Sequence, residues 1–163
     1  MRLHIHRPAI RNLPIALVLA VSLAGTALAT AASGFHPTIV GRATLPGPVS
    51  FNAGAIKFQT KSDVDIITIT VAIDPSGSSG WLTRPGVVLA SVAAGRIVLY
   101  DANCVGTVLD AGSAFTVSGF SPVLVRNEST SVAAAVNATF IVPKGTPNSG
   151  LRIDQTNPGC AQS

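Results

Sequence analysis

Runs of β-branched residues, some alternating with polar ones and some continuous, follow one another along most of this chain. They are read as strands at Thr38–Thr44, Ala55–Gln59, Val64–Ile73, Val87–Val92, Arg96–Asp101, Ser113–Val117, Pro122–Asn127 and Val132–Val142. The clearest is VDIITITVAI at Val64–Ile73. Gly, Pro, Asn and Ser occupy the intervals, as in DPSGSSG before Gly80 and at Gly95. SVAAAVNA around Val132 is alanine-rich enough for a helical turn, but the TFIV that follows favours a strand. Short strands about every ten residues, with no repeat and no second domain, predict an all-β sandwich or barrel.

The first residues break this pattern. Arg2, Arg7 and Arg11 stand without an acid, LPIALVLAVSLAG is apolar apart from one Ser, and ALATAA supplies small residues at the spacing a signal peptidase needs. The pattern predicts a secretory leader over residues 1–32, cleaved after Ala29 or Ala32, and a domain over 33–163. About 13 apolar residues fall short of the roughly 20 that span a bilayer, so no stable membrane anchor is expected after cleavage.

Taking the leader away changes the charge argument. Three of the eleven Lys and Arg lie in it, leaving eight against seven acids. The near-neutral remainder gives no reason to expect nucleic-acid binding. Cys104 and Cys160 are the two cysteines, and in an oxidising compartment an even pair most simply forms one disulfide. Such a bridge would stabilise the fold by about 4 kcal/mol on the chain-entropy account.

The stretch Gly80–Gly95, GWLTRPGVVLASVAAG, carries the most informative spacing. Together with AGAIKFQTKSDVDIITITVAIDPSGSS before it and RIVLYDANC, AGSAFTVSG, VRNES, FIVPKG and LRIDQTNPGC after it, this stretch resembles a secreted bacterial cupin. The resemblance covers roughly Thr38 to Cys160 and implies a single jelly-roll β-barrel. It aligns Gly80, Trp81, Thr83, Pro85, Gly86 and Gly95 with the first cupin motif, and Gly112 and Asn127 with the second. In that family the motifs carry a His-x-His pair, a Glu and a further His that bind a metal. Here the resemblance puts those places on Leu82, Arg84, Val88 and Val123, while the second motif's Pro and Gly places fall on Ser118 and Phe120.

The chemical consequence needs no family. A first-row metal wants several N and O donors; Leu and Val have none, and the Arg84 guanidinium is a permanent cation. Only His36 remains once the leader is gone. The expectation is a cupin-like barrel without a metal centre and without a cofactor, acting as a non-catalytic small-molecule-binding or structural module. Its ligand would be small and apolar or anionic. The resemblance aims Arg84 into the barrel, with Trp81, Thr83, Tyr100 and Asn127 as candidate pocket neighbours. Alternatively, Arg84 runs to the barrel mouth or pairs with a nearby acid, Trp81 is a wall of the core, and Asn127 satisfies backbone groups.

The other constellations are weaker. Asp63 and Asp65 could pair for acid–base work but read better as a solvated strand end, and Asp101 and Asp110 as turn residues. Asn127-Glu-Ser and Asn137-Ala-Thr match glycosylation acceptors, which the bacterial resemblance makes coincidental. Two further classes stay open: an enzyme with a non-standard site, which polar or acidic residues converging on Arg84 would favour, and a protein-interaction module or homodimer.

Overall fold

The computed structural model describes residues 29–162. Most of the leader expected from the sequence, residues 1–28, lies outside them. Twelve strands are formed among the described residues: β1 Ser33–Leu45, β2 Val49–Ala53, β3 Ile56–Thr60, β4 Val64–Ser78, β5 Leu82–Thr83, β6 Val87–Ala94, β7 Arg96–Tyr100, β8 Gly106–Asp110, β9 Ala114–Ser118, β10 Leu124–Arg126, β11 Ala134–Pro143 and β12 Ile153–Asp154. One 3-10 turn, Asn148–Leu151, precedes β12.

The main sheet runs β8-β7-β10-β4-β11-β6-β9, with β1 also paired to β4, and curls into a nearly closed barrel. Nearly all of its neighbours are joined by crossovers rather than hairpins, as in a jelly roll. The expected all-β barrel is therefore the architecture found. Its centre is β4, flanked by β1 along Ile39↔Ile69 and by β11 along Ala138↔Ile69. Period-2 alternation sends Ile67, Ile69, Val71 and Ile73 inward from β4, Val136, Ala138, Phe140 and Val142 from β11, and Val88, Ala90 and Val92 from β6. These side chains form one continuous core.

A second, smaller cluster holds Trp81, Val98, Tyr100, Leu124 and Cys160. The C-terminal tail closes it: Cys160 is bonded to Cys104, and the Trp81 indole N–H donates to the Gln162 carbonyl at 3.1 Å. The disulfide expected from the cysteine count is thus present.

Four strands lie where none is expected from the sequence, β2, β5, β8 and β12, and β4 extends through the residues read as the loop DPSGS. Ala134 begins β11, so the alanine-rich segment is strand and not helix. The glycines at the ends of the Gly80–Gly95 stretch are fixed by crowding. Both have positive φ, and a Cβ would come within 2.3 Å of the Thr30 carbonyl oxygen at Gly80 and 2.5 Å of that of Ala133 at Gly95.

Residues 29–32, placed by sequence in the leader, pack against the barrel. Ala29 bridges Thr156, the Thr30 N–H donates to the Gln155 carbonyl at 3.1 Å, and the Thr30 hydroxyl accepts the Trp81 backbone N–H at 2.6 Å.

Candidate functional site

Leu82, Arg84, Val88 and Val123, the positions that the resemblance assigned to lost ligands, all line one small cavity of about 40 Å³ inside the barrel. Leu82 and Val123 face each other through a pair of backbone hydrogen bonds, 3.0 and 2.9 Å. Val88 projects from β6, and Arg84 follows β5. Apolar side chains otherwise fill this space. Among the described residues no cluster of three His, Cys, Asp or Glu is placed to hold a metal ion.

A larger cavity of about 300 Å³ lies beside it, at the barrel mouth. Phe35 and Ile39 of β1, Ile69 of β4, Phe140 of β11 and Leu151 of the 3-10 turn form its apolar walls. The side of the cavity along Ile39, which is 41% exposed, faces solvent. Arg84 lines both cavities, and Arg152 lines the larger. Among the described residues these two guanidiniums are the only ionisable groups on either lining.

Their environments differ. Arg152 donates through Nε to the Asp154 carboxylate and through Nη1 to the Ser79 carbonyl, while its Nη2 is enclosed and has no hydrogen-bond partner. Arg84 donates through Nη1 to the Leu151 carbonyl at 2.8 Å, and its guanidinium sits 5.1 Å from the centre of the Phe140 ring. No carboxylate pairs with Arg84 among the described residues. Burial, reinforced by the Arg152 charge and opposed by Asp154, pushes its pKa down to about 10. It remains a cation at neutral pH, held in a largely apolar niche.

The remaining sequence candidates lie elsewhere. Trp81 and Tyr100 belong to the second cluster under the C-terminal tail, and neither lines the Arg84 cavities. The Tyr100 hydroxyl donates to Glu128, a bond that raises its pKa. Thr83 is buried, its hydroxyl accepting from the Gln155 amide at 3.3 Å. Asn127 is fully buried: Nδ2 donates to the carbonyls of Ile73, Asp74 and Val132 at 3.4, 3.0 and 2.8 Å, and Oδ1 accepts the Ser129 N–H at 3.1 Å. It therefore does the backbone-satisfying work foreseen as an alternative. Alternation explains the separation, because Trp81 and Thr83 turn away from the interior that Leu82 and Arg84 enter.

The reading of Asp65 as a solvated strand end needs correction. Its side chain is buried and accepts from Arg42 Nη2 at 2.5 Å, the Thr44 hydroxyl at 2.7 Å and the Gly145 N–H at 2.9 Å. Those bonds, Arg42 first, hold its pKa down to about 2. Asp63 is likewise lowered, by the Gly47 N–H and then Lys144. Both carboxylates serve strand ends, and neither reaches the cavities.

Arg152 was not singled out from the sequence. It lies in a coil-like tail with no motif around it, and only the return of that tail to Ser79 brings it near Arg84.

Among solved structures, an RmlC-like cupin from Shewanella frigidimarina is similar at 12% identity and TM-score 0.46, over 71% of this chain and 86% of that one. Vicilin from Capsicum annuum matches at 15% identity and TM-score 0.47, over 56% of this chain and 25% of that one. An oxalate oxidase in complex with the substrate analogue glycolate matches at 16% identity and TM-score 0.42, over 46% of this chain and 41% of that one. The matches span less than half of the oxalate oxidase chains. At these values the likeness extends to no activity or ligand of those proteins. No family profile matches the chain, and neither does any curated protein.

Proposed function

We propose that this protein is an extracytoplasmic, cupin-like binding module that works without a metal and without catalysis, taking a small molecule at the barrel mouth. One observation carries the reading. The barrel interior around Leu82, Val88 and Val123 is closed down to about 40 Å³, whereas the adjoining mouth keeps about 300 Å³, the lower end of the range for small-ligand pockets. Among the described residues the linings offer no carboxylate, imidazole, hydroxyl or thiol, so general acid–base or nucleophilic chemistry has no agent among them.

Secretion fits the Cys104–Cys160 bridge, which belongs in an oxidising compartment. Of the two cleavage sites, the one after Ala29 keeps Thr30, whose hydroxyl accepts the Trp81 N–H. Cleavage after Ala32 would strip that partner from a buried residue. Intact-mass measurement of the exported chain is expected to give Thr30 as its first residue, and a start at Ser33 would refute this.

The binding reading is tested on the purified, naturally processed chain after growth with Mn, Fe, Ni, Cu and Zn. Metal analysis should find less than about a tenth of an equivalent of any of them. A neutral apolar probe, cyclohexanol, should shift the resonances of Phe35, Phe140 and Leu151. Near one equivalent of metal would overturn the metal-free reading, and a mouth that responds to no probe would overturn the binding module.

A further inference from the structure

The Arg84 niche is built for a charge that the chain does not supply. A cation held in apolar surroundings without a counterion costs stability unless an anion completes it. Arg84 spends one donor on the Leu151 carbonyl and rests its face on Phe140, and among the described residues no carboxylate balances it. Beside it, Arg152 is neutralised by Asp154 yet keeps an enclosed, unpartnered Nη2. Among the described residues the site thus carries one uncompensated positive charge. The two arginines and Asn148 apart, its walls among the described residues are apolar, Phe35, Ile39, Ile69, Phe140 and Leu151 among them.

We infer that the mouth cavity binds a monoanionic amphiphile, a small carboxylate on an aliphatic or aromatic body. Arg84 meets the carboxylate, Arg152, whose Nη2 is unpartnered, lines the same cavity, and the body lies against Phe35, Ile69 and Leu151. This deepens the binding-module reading and rests on it. The charge count selects a monoanion over a phosphate-like dianion. A planar guanidinium fork suits two carboxylate oxygens better than a point charge would. The volume of about 300 Å³ suits a short chain or a single ring and excludes a long acyl lipid.

The test is calorimetric titration of the purified, naturally processed chain at neutral pH and low salt with sodium octanoate, sodium benzoate and 1-octanol. Light scattering is run on the same sample. At least one carboxylate is expected to bind at a single site more tightly than about 1 mM, with 1-octanol at least about tenfold weaker than octanoate. Arg84→Gln should weaken carboxylate binding at least about tenfold and leave 1-octanol unchanged. Should that variant fail to fold, Arg84→Lys keeps the charge and loses the fork, and is expected to bind the carboxylates severalfold more weakly.

Octanol binding as tightly as octanoate would overturn the carboxylate assignment and leave the binding module standing. A response to cyclohexanol with no response to either carboxylate would do the same. A dimer whose formation covers Ile39 and abolishes all binding would show the mouth to be an interface between copies, and would overturn both.

Discussion

Asp65 shows how much one side chain organises here. Its three bonds join β1, through Arg42 and Thr44, to the turn after β11, through Gly145, and Arg42 goes on to the Thr146 carbonyl at 2.5 Å and Asn148 Oδ1 at 3.0 Å. That turn leads into Leu151, whose carbonyl receives Arg84. Because the folded pKa of Asp65 lies near 2, below its ordinary value of 3.8, its stabilisation is complete above about pH 4 and is lost as pH falls through 2. Asp65→Asn is expected to melt at a lower temperature than the native chain at pH 6, with the gap closing between about pH 4 and 2. A gap that stayed constant down to pH 2 would refute the linkage. The sequence hid this role, since Arg42 lies 23 residues away and meets Asp65 only once β1 pairs with β4. Asn127 was easier to place, because a motif position flagged it, although what it serves are backbone carbonyls of β4 and of the segment before β11. Asn127→Ala leaves three carbonyls short of a donor and should cost on the order of 3 kcal/mol in chemical denaturation.

At the scale of elements, the long strands with one alternating buried face were the most legible. β1 and β3 were read with little burial to mark them, and the short β2, β5, β8 and β12 were not read. β4, β6 and β11 alternate because the barrel interior selects every second residue, and that regularity can be read directly from the order of their amino acids. β2 and β3 form a separate two-stranded sheet whose apolar side chains face water: Phe51 is 52% exposed and Ile56 65%. With no core to choose a face, VSFNA carries no period to read. The rings of Phe51 and Phe58 stack at a centroid separation of 5.4 Å, which is about all this hairpin has to hold it together beyond its ladder. The two kinds of strand should differ in energetic weight. Phe140→Ala, in the core between β4 and β6, is expected to cost about 3–5 kcal/mol. Phe51→Ala should cost less than about 1.5 kcal/mol. Equal losses from urea titrations of the two variants would mean that the hairpin is docked on the barrel.

Across the whole molecule, two cores depend on different forces. The barrel core is closed by its own strands, whereas the Trp81 cluster is closed by a tail that carries little regular structure and is pinned at Cys160. Composition alone made the disulfide legible; what it shields was not, because the burial of Trp81 follows from the path of the tail. Reduction should therefore act unevenly. The bridge joins residues 56 apart, so its loss is expected to lower stability by about 4 kcal/mol or somewhat less. The tail would release first, taking the Gln162 carbonyl from the indole N–H, so Trp81 fluorescence should shift to the red at a reductant concentration that leaves far-ultraviolet circular dichroism unchanged. The mouth cavity faces the barrel core and includes no residue of the Trp81 cluster. Arg152 and Leu151 nevertheless connect the two, since they lie on the same C-terminal path that ends in Cys160. Reduced protein should then lose affinity for a mouth ligand while its barrel is still folded. A single transition, in which fluorescence, dichroism and binding all fall together, would show that tail and barrel form one cooperative unit.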